Sequence, residues 1–400
     1  MRMTTNPGIK HPSAVSSGRF QLFALLLALV TVFLLTACGP SGSGGGGGGG
    51  GDNGGGVQPP EPEPDPESTL SPRIFILGSE IDVDGKLHIY VNGVDATGNA
   101  ITLQDFQALS EVTVDGDLRW SNGVPVGGDT IRIQALANGA PISTAFLTDY
   151  SASIDIISLE QMIQIYEAVA DALPAGFEGQ VMNFSDTAGL EQDWTDNLQT
   201  LRDALQVDPD FPRNNTAFYD GMSETLYRDN PAGLGGLPVG DGLTERCRAA
   251  RLILSYTDGL DSASSYFNFD ADQNDTSDQR ADLINELDVR RIVPIMFGSG
   301  EVSKTELDDF AGSRGAFIYA PTPDDFPDDL LGWIESLGNI VEYVVDAGTF
   351  DQIEPGAVNI AFELITEEVL APCLLYTSPS PRDHLAHRVC RLLLEKGGGG

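Results

Sequence analysis

Four hundred residues, 41% of them apolar, suffice for two modest packed cores with appendages, which excludes global disorder. Against 22 basic side chains stand 59 acidic ones, a formal charge of −37 that argues against nucleic acid or an anionic lipid surface as partner. Most of these carboxylates are read as a solvated acidic surface.

From the start, residues 1–19 are polar with Arg2, Lys10 and Arg19, and Phe20 to Leu35 is almost wholly apolar. That run is short for a membrane span and suits the apolar core of a signal peptide. It closes on Leu35, Thr36, Ala37 and Cys38, which resembles a bacterial lipobox. The resemblance implies a signal peptide over 1–37, cleavage before Cys38 and a lipid on that cysteine; an uncleaved N-terminal anchor is the alternative. Gly39 follows in place of an inner-membrane retention aspartate, so the expected address is the cell envelope, lipid-anchored at the outer membrane. Residues 38–71 form a linker, glycine-rich and flexible at first, then stiffer and extended through PPEPEPDPE.

Over 72–140 the pattern becomes short alternating runs, RIFILGSEIDV, KLHIYVNGV and TIRIQALANG, punctuated by Asp-Gly and Asn-Gly. These are strand and hairpin signals, and they predict a small all-β module. His88, in the second run, reads as a strand residue, since no second His or Cys stands at ligand spacing.

The segment 141–348 alternates strand and helix. AFLTDYSAS opens it, with Asp149, Ser151 and Ser153 at alternate positions. Residues two apart on an extended chain project to one side, so a carboxylate and two hydroxyls converge beyond the strand end. Such hard oxygen donors suit Mg²⁺, although an Asx or Ser cap would explain the motif equally well. Next come a helix over Ser158 to Leu173 with apolar residues three and four apart, a strand in GQVMNFSD, and helices at Asn197 to Leu205 and Thr216 to Tyr227. A strand at Ala249 to Tyr256 runs into Thr257, Asp258 and Gly259. It is followed by a helix at Asp278 to Leu287, a strand at Arg291 to Phe297, a helix at Lys304 to Phe310, a strand at Gly315 to Ala320 and a last helix around Asp328 to Tyr343. The fold class is therefore α/β, a doubly wound, mostly parallel sheet with helices on both faces, plus the all-β N-terminal module. In such sheets ligands bind at the carboxyl ends of strands near the topological switch point, where Asp149 and Asp258 are expected.

The order DxSxS, then Thr216 in RNNTAFYDGM, then Asp258 in LSYTDGLDS, resembles the von Willebrand factor type A (VWA) domain and its metal-ion-dependent adhesion site, from about Ser143 to about Gly348. The piece VNGVDATGNAITLQDFQALSEVTVDG is similar, less specifically, to a β-sandwich module that precedes such domains in bacterial envelope proteins. Two departures stand out: Ala152 replaces a more usual glycine and Ile154 a common methionine. The alanine methyl is tolerated if the backbone there is not at positive φ. The resemblance implies that Ser151, Ser153 and Thr216 coordinate a divalent ion, Mg²⁺ or else Mn²⁺ or Ca²⁺, while Asp149 and Asp258 act largely through bound water. Neutral hydroxyls leave the cation poorly neutralised, and in the family a Glu or Asp carboxylate of a protein partner fills the open position. The expectation is thus metal-dependent protein binding and no catalysis. The alternatives are a metal-assisted hydrolase, a nucleotide-binding enzyme, or a VWA-fold scaffold without metal-dependent contacts. Hydrolysis needs a positioned base, and the acidic neighbours Asp155 and Asp261 are read as solvated.

Several decoys are set aside. GSGEVSKT, Gly298 to Thr305, looks like a phosphate loop, but Ser303 stands where glycine should precede Lys304. GLGGLPVGDG follows no strand, and FDADQNDTSD has Asp275 where a calcium loop needs its turn glycine. No histidine lies between His88 and His384, and no GxSxG occurs, which disfavours a hydrolase triad. Segments 341–345 and 357–365 look like strands that pair with each other or with the β module, and 349–372 forms a hairpin extension. Residues 373–400 turn basic; CLLYTSPSPRD resembles translated sequencing-adapter DNA, so a foreign tail is expected and its His384, His387 and Cys390 are not taken as ligands. Discounting it, Cys247 has no disulfide partner; with it, a bridge to Cys373 or Cys390 stays open.

Overall fold

The computed structural model describes residues 66–345, apart from 83, 85, 115–116, 122, 127–130, 137–141, 229–239, 247, 260, 265–275 and 301, together with the strand backbones 359–364 and 374–377. Residues 1–37, where a signal peptide is expected, Cys38, the expected linker as far as residue 65, Cys247, most of the acidic 270–278 loop and the chain beyond 377 lie outside the described residues.

In the α/β part, β8 (Ile142–Asp149), β9 (Glu178–Phe184), β11 (Ala250–Thr257), β12 (Val293–Gly298) and β13 (Ala316–Tyr319) run parallel in the order β9-β8-β11-β12-β13. Antiparallel edges close it, β10 (Ala188–Thr195) on β9 and the two-residue β1 (Glu67–Ser68) on β13. β8 leads outward to β9 while β11 leads the other way to β12 and β13, so the chain reverses direction between β8 and β11. That is the topological switch point.

Both faces are covered, which is why the inner strands are buried throughout. On one face α2 (Ile156–Ala172) sets Leu159, Met162, Ile163, Tyr166 and Val169 against Phe146, Leu252, Leu254 and Phe297, with Trp333 of α7 (Asp329–Leu337) beside them. The spacing of these residues makes one helical stripe. Asp155 caps the helix by accepting the Ser158 N–H at 2.9 Å, and Pro174 forces Leu173 out of helical geometry at its end. On the other face α4 (Phe218–Leu226), α5 (Thr276–Val289) and α6 (Lys304–Ala311) bury Met222, Leu283 and Phe310 over Leu147, Ile253 and Met296. The short α3 (Leu198–Ala204), capped by Asn197, packs Leu201 at the β9 edge.

The β module pairs β2 (Arg73–Ile81), β3 (Leu87–Val94), β14 (Val341–Val345) and β7 (Ile131–Ala135) in one layer. A second sheet runs β16 (Leu374–Thr377), β15 (Asn359–Leu364), β4 (Ser110–Val114), β5 (Asp117–Ser121) and β6 (Val124–Pro125). Ile89, Val91, Val112, Trp120, Val341 and Tyr343 fill the space between, with Phe106 of α1 (Leu103–Leu109). The last expected helix therefore stops at Leu337, and 341–345 crosses back to lie between β3 and β7. The α/β segment is inserted between two strands of the β module, so 72–140 does not make its sandwich alone. β10 carried no apolar alternation in AGLEQDWT because a half-exposed edge strand has no need of it. Among the described residues β2 pairs with β11 at one register position, Gly78 with Ala250, where a β-carbon on Gly78 would stand 1.8 Å from the Ala249 carbonyl oxygen, while Phe75, Leu77, Tyr90 and Val94 share a core with Ile142, Leu252 and Trp333.

His88 fixes the inserted segment's return. Its Nδ1 lies 2.6 Å from Glu342 Oε1 on β14 and its Nε2 3.1 Å from Asp82 Oδ2, while Glu342 also accepts from Gln134 on β7. Burial lowers the imidazole pKa, but the two carboxylate partners outweigh it and hold the pKa above its ordinary value. A histidine raised in the fold adds stability below its unfolded pKa of about 6.5 and loses it as pH rises through the folded value. His88→Gln is expected to cost about 1 to 2 kcal/mol at pH 6 and much less at pH 9. Urea melts of both proteins at the two pH values check this; a pH-independent gap would contradict it.

Candidate metal centre

The five oxygen-bearing residues come from three loops at the carboxyl end of the sheet. Asp149 ends β8, and Ser151 and Ser153 follow in the turn before α2. Thr216 lies just ahead of α4, and Asp258 follows β11. A hydrogen-bonded chain links four of them. The Ser151 N–H donates to Asp149 Oδ1 at 2.7 Å, the Ser151 and Ser153 hydroxyls meet at 2.9 Å, and Ser153 Oγ donates to Asp258 Oδ1 at 2.8 Å. A carboxylate from β8 and one from β11 are thus bridged by two serines. Thr216 is tied in through its backbone: its carbonyl accepts the N–H groups of Ser262 and Ala263 at 2.8 and 3.0 Å. Its hydroxyl lies 3.5 Å from where a β-carbon on Gly259 would stand, beside Asp258. The Ala152 N–H donates to the Asn214 carbonyl at 2.8 Å, lacing the first loop to the second. Ala152 is exposed and is not at positive φ, so its methyl group is accommodated without strain.

Burial grades across the site. Asp149, Ser151 and Thr216 are buried, Asp258 is half-buried and Ser153 is exposed, so the donors open to solvent on one side. Burial lifts the Asp149 pKa to about 7, against the hydrogen bonds from Thr257 and Ser151, and the Asp258 charge adds to the rise. Burial also raises Asp258, opposed chiefly by its bond from Ser153. Two carboxylates held together out of water in this way favour a cation between them. Two carboxylates and three hydroxyls fit a hard, oxygen-seeking divalent ion. Among the described residues no three of His, Cys, Asp or Glu gather as a metal cluster.

Several supporting residues had no assigned part in the sequence. Thr257 donates its hydroxyl to Asp149 Oδ2 at 2.7 Å and orients that carboxylate. Asp261, expected in solvent, instead accepts the Tyr219 N–H at 2.9 Å and the Ser264 N–H at 3.1 Å, anchoring the start of α4 behind Thr216. Asp155 is exposed, as expected, and also caps α2. Thr257 was visible as the residue before Asp258; nothing local marks Asp261. The decoy Lys304 pairs with Glu67 at 2.7 Å and lies over the Tyr319 ring, and Ser303 caps α6. A groove of about 530 Å³ between α5 and α6, lined by Leu287, Ile292 and Phe310, lies at the opposite end of β12 and shares no residue with the donors.

No protein-family model and no curated protein sequence matches the chain. Among solved structures it is similar to proximal thread matrix protein 1 from the mussel byssus with a zinc-occupied MIDAS motif, at 18% identity over 54% of this chain and 50% of that one, TM-score 0.37. It is also similar to a von Willebrand factor type A structure from Catenulispora acidiphila, at 11% identity over 82% and 76%, TM-score 0.36. A third is BatB from Bacteroides thetaiotaomicron, at 12% identity over 48% and 96%, TM-score 0.34. The chain spans about half the length of the mussel protein. The strand order β9-β8-β11-β12-β13 and its parallel register define the fold.

Proposed function

We propose that Asp149, Ser151, Ser153, Thr216 and Asp258 hold one divalent cation, Mg²⁺ or Mn²⁺ before Ca²⁺, and that the ion binds an acidic side chain of a protein partner. The observation behind this reading is the Asp149–Ser151–Ser153–Asp258 chain, which joins the two central strands at the switch point. With Asp149 and Asp258 acting through bound water, only neutral hydroxyls would touch the ion directly, which would leave an open position that a carboxylate from outside matches. Binding is favoured over hydrolysis because three carboxylates beside the site, Asp155, Asp186 and Asp261, accept hydrogen bonds that hold α2, the Asn214 loop and α4. In the same proposal the chain is tethered to the cell envelope through lipid on Cys38, with the linker as spacer.

Calorimetry with Mg²⁺ and Mn²⁺ is expected to show one site. At a hundredfold excess over its dissociation constant, the ion should stabilise the fold by about 2.7 kcal/mol. Immobilised polyglutamate should retain the protein with Mg²⁺ and release it with a chelator. Absence of any metal heat or melting shift would sink the metal reading, and metal binding without retention would sink the partner reading alone.

A further inference from the structure

Arg213 lies in the loop that delivers Thr216, three positions ahead of it. Its Nη2 donates to the Ser151 carbonyl oxygen at 3.4 Å, which places the half-buried guanidinium against the backbone of the first metal loop. Its Nε is buried without a hydrogen-bond partner. Among the described residues no carboxylate stands within salt-bridge distance of it. Asp155 and Asp258 both lie within range of its charge.

A guanidinium held against a loop of a divalent-ion site adds to the positive charge there once the ion is bound, and an incoming acidic group that joins both relieves the repulsion. The planar fork of arginine also fits a carboxylate through two parallel hydrogen bonds, which a lysine ammonium does not reproduce. We infer that Arg213 is a second anchoring point for the ligand, so that the partner segment carries two neighbouring acidic side chains, one for the ion and one for Arg213. This rests on the metal-binding reading above and adds what that reading leaves open, the number and placement of the partner's charges.

The test uses the full chain as wild type, Arg213→Ala and Arg213→Lys. Calorimetry with Mg²⁺ comes first: Arg213→Ala should bind the ion as tightly as wild type or more tightly, which also shows the variant folded. Fluorescence anisotropy then follows capped glycine-serine peptides bearing one glutamate or two adjacent ones, in Mg²⁺. Wild type is expected to prefer the two-glutamate peptide about tenfold, a value of one charge-assisted contact. Arg213→Ala should lose the preference and Arg213→Lys retain part of it. Equal binding of the two peptides by wild type, including no binding of either, overturns the inference, as does a preference that survives in Arg213→Ala. Failure of wild type to bind Mg²⁺ overturns the metal reading and this inference with it; intact Mg²⁺ binding with no role for Arg213 overturns the inference alone.

Discussion

Asp149→Asn should melt at a higher temperature than wild type in chelator at pH 8, and its melting should no longer respond to Mg²⁺. The cause is the buried carboxylate at the end of β8, whose pKa burial lifts to about 7. An acid whose pKa is higher folded than unfolded binds its proton more tightly in the native state, so stability falls as pH rises from about 4 to about 7. By pH 8 a displacement of that size has cost about 4 kcal/mol as an order of magnitude. Asparagine removes the charge and keeps the shape. Its carbonyl oxygen can accept the Ser151 N–H, and its amide can donate to Thr257 Oγ1, which then donates to the Gly259 carbonyl at 3.1 Å. A net gain of about 1 to 3 kcal/mol without metal is expected, after allowing for imperfect replacement of two hydrogen bonds. Loss of a carboxylate that orients bound water around the ion should weaken Mg²⁺ about 100-fold. Differential scanning calorimetry with and without Mg²⁺ reads both effects. A variant that melts lower without metal, or that keeps the Mg²⁺ response, would place Asp149 outside the metal centre.

The largest loss of stability is expected at the other end of the sheet, from Arg246→Ala. Glu178, at the start of β9, is almost fully buried and accepts from Arg246 Nε at 2.8 Å and from Nη2 at 2.5 Å, with Ser143 of β8 donating to it as well. Burial pushes the Glu178 pKa up, and these partners more than reverse it, leaving the carboxyl below its usual range. Arg246 also stacks over the Trp194 ring at 5.1 Å, so one guanidinium ties the starts of β8 and β9 to β10. Truncating it leaves the buried charge only the Ser143 hydroxyl and the more distant Arg248, whose Nε stands 3.6 Å away, at a cost of about 3 kcal/mol. Adding Glu178→Gln should recover part of that, because the stranded charge is then gone. Urea unfolding at pH 7 measures both. A cost under 1 kcal/mol, or no recovery in the double variant, would show the pair to be solvated. Mg²⁺ affinity should be unchanged, since Glu178 and Asp149 lie at opposite ends of the β8–β9 pair.

Much of this molecule was legible in its residues taken a few at a time. Apolar spacing in 158–173 set a helix, largely apolar runs at 249–256 and 291–297 set buried strands, and their alternation set a parallel sheet. Alternate placement of Asp149, Ser151 and Ser153 set three donors on one side of one strand end. These are local properties of backbone period, so the chain order alone carries them. What the order left open is decided by which distant segments meet. The return of 341–345 between β3 and β7, the support of Asp149 by Thr257 and of α4 by Asp261, the Glu178–Arg246 pair and the approach of Arg213 to Ser151 all join residues far apart along the chain. Strand pairing and side-chain hydrogen bonds act over a few ångströms in space and take no account of sequence separation. The sheet must therefore be assembled before an acidic residue becomes a cap, a counter-ion or a metal donor.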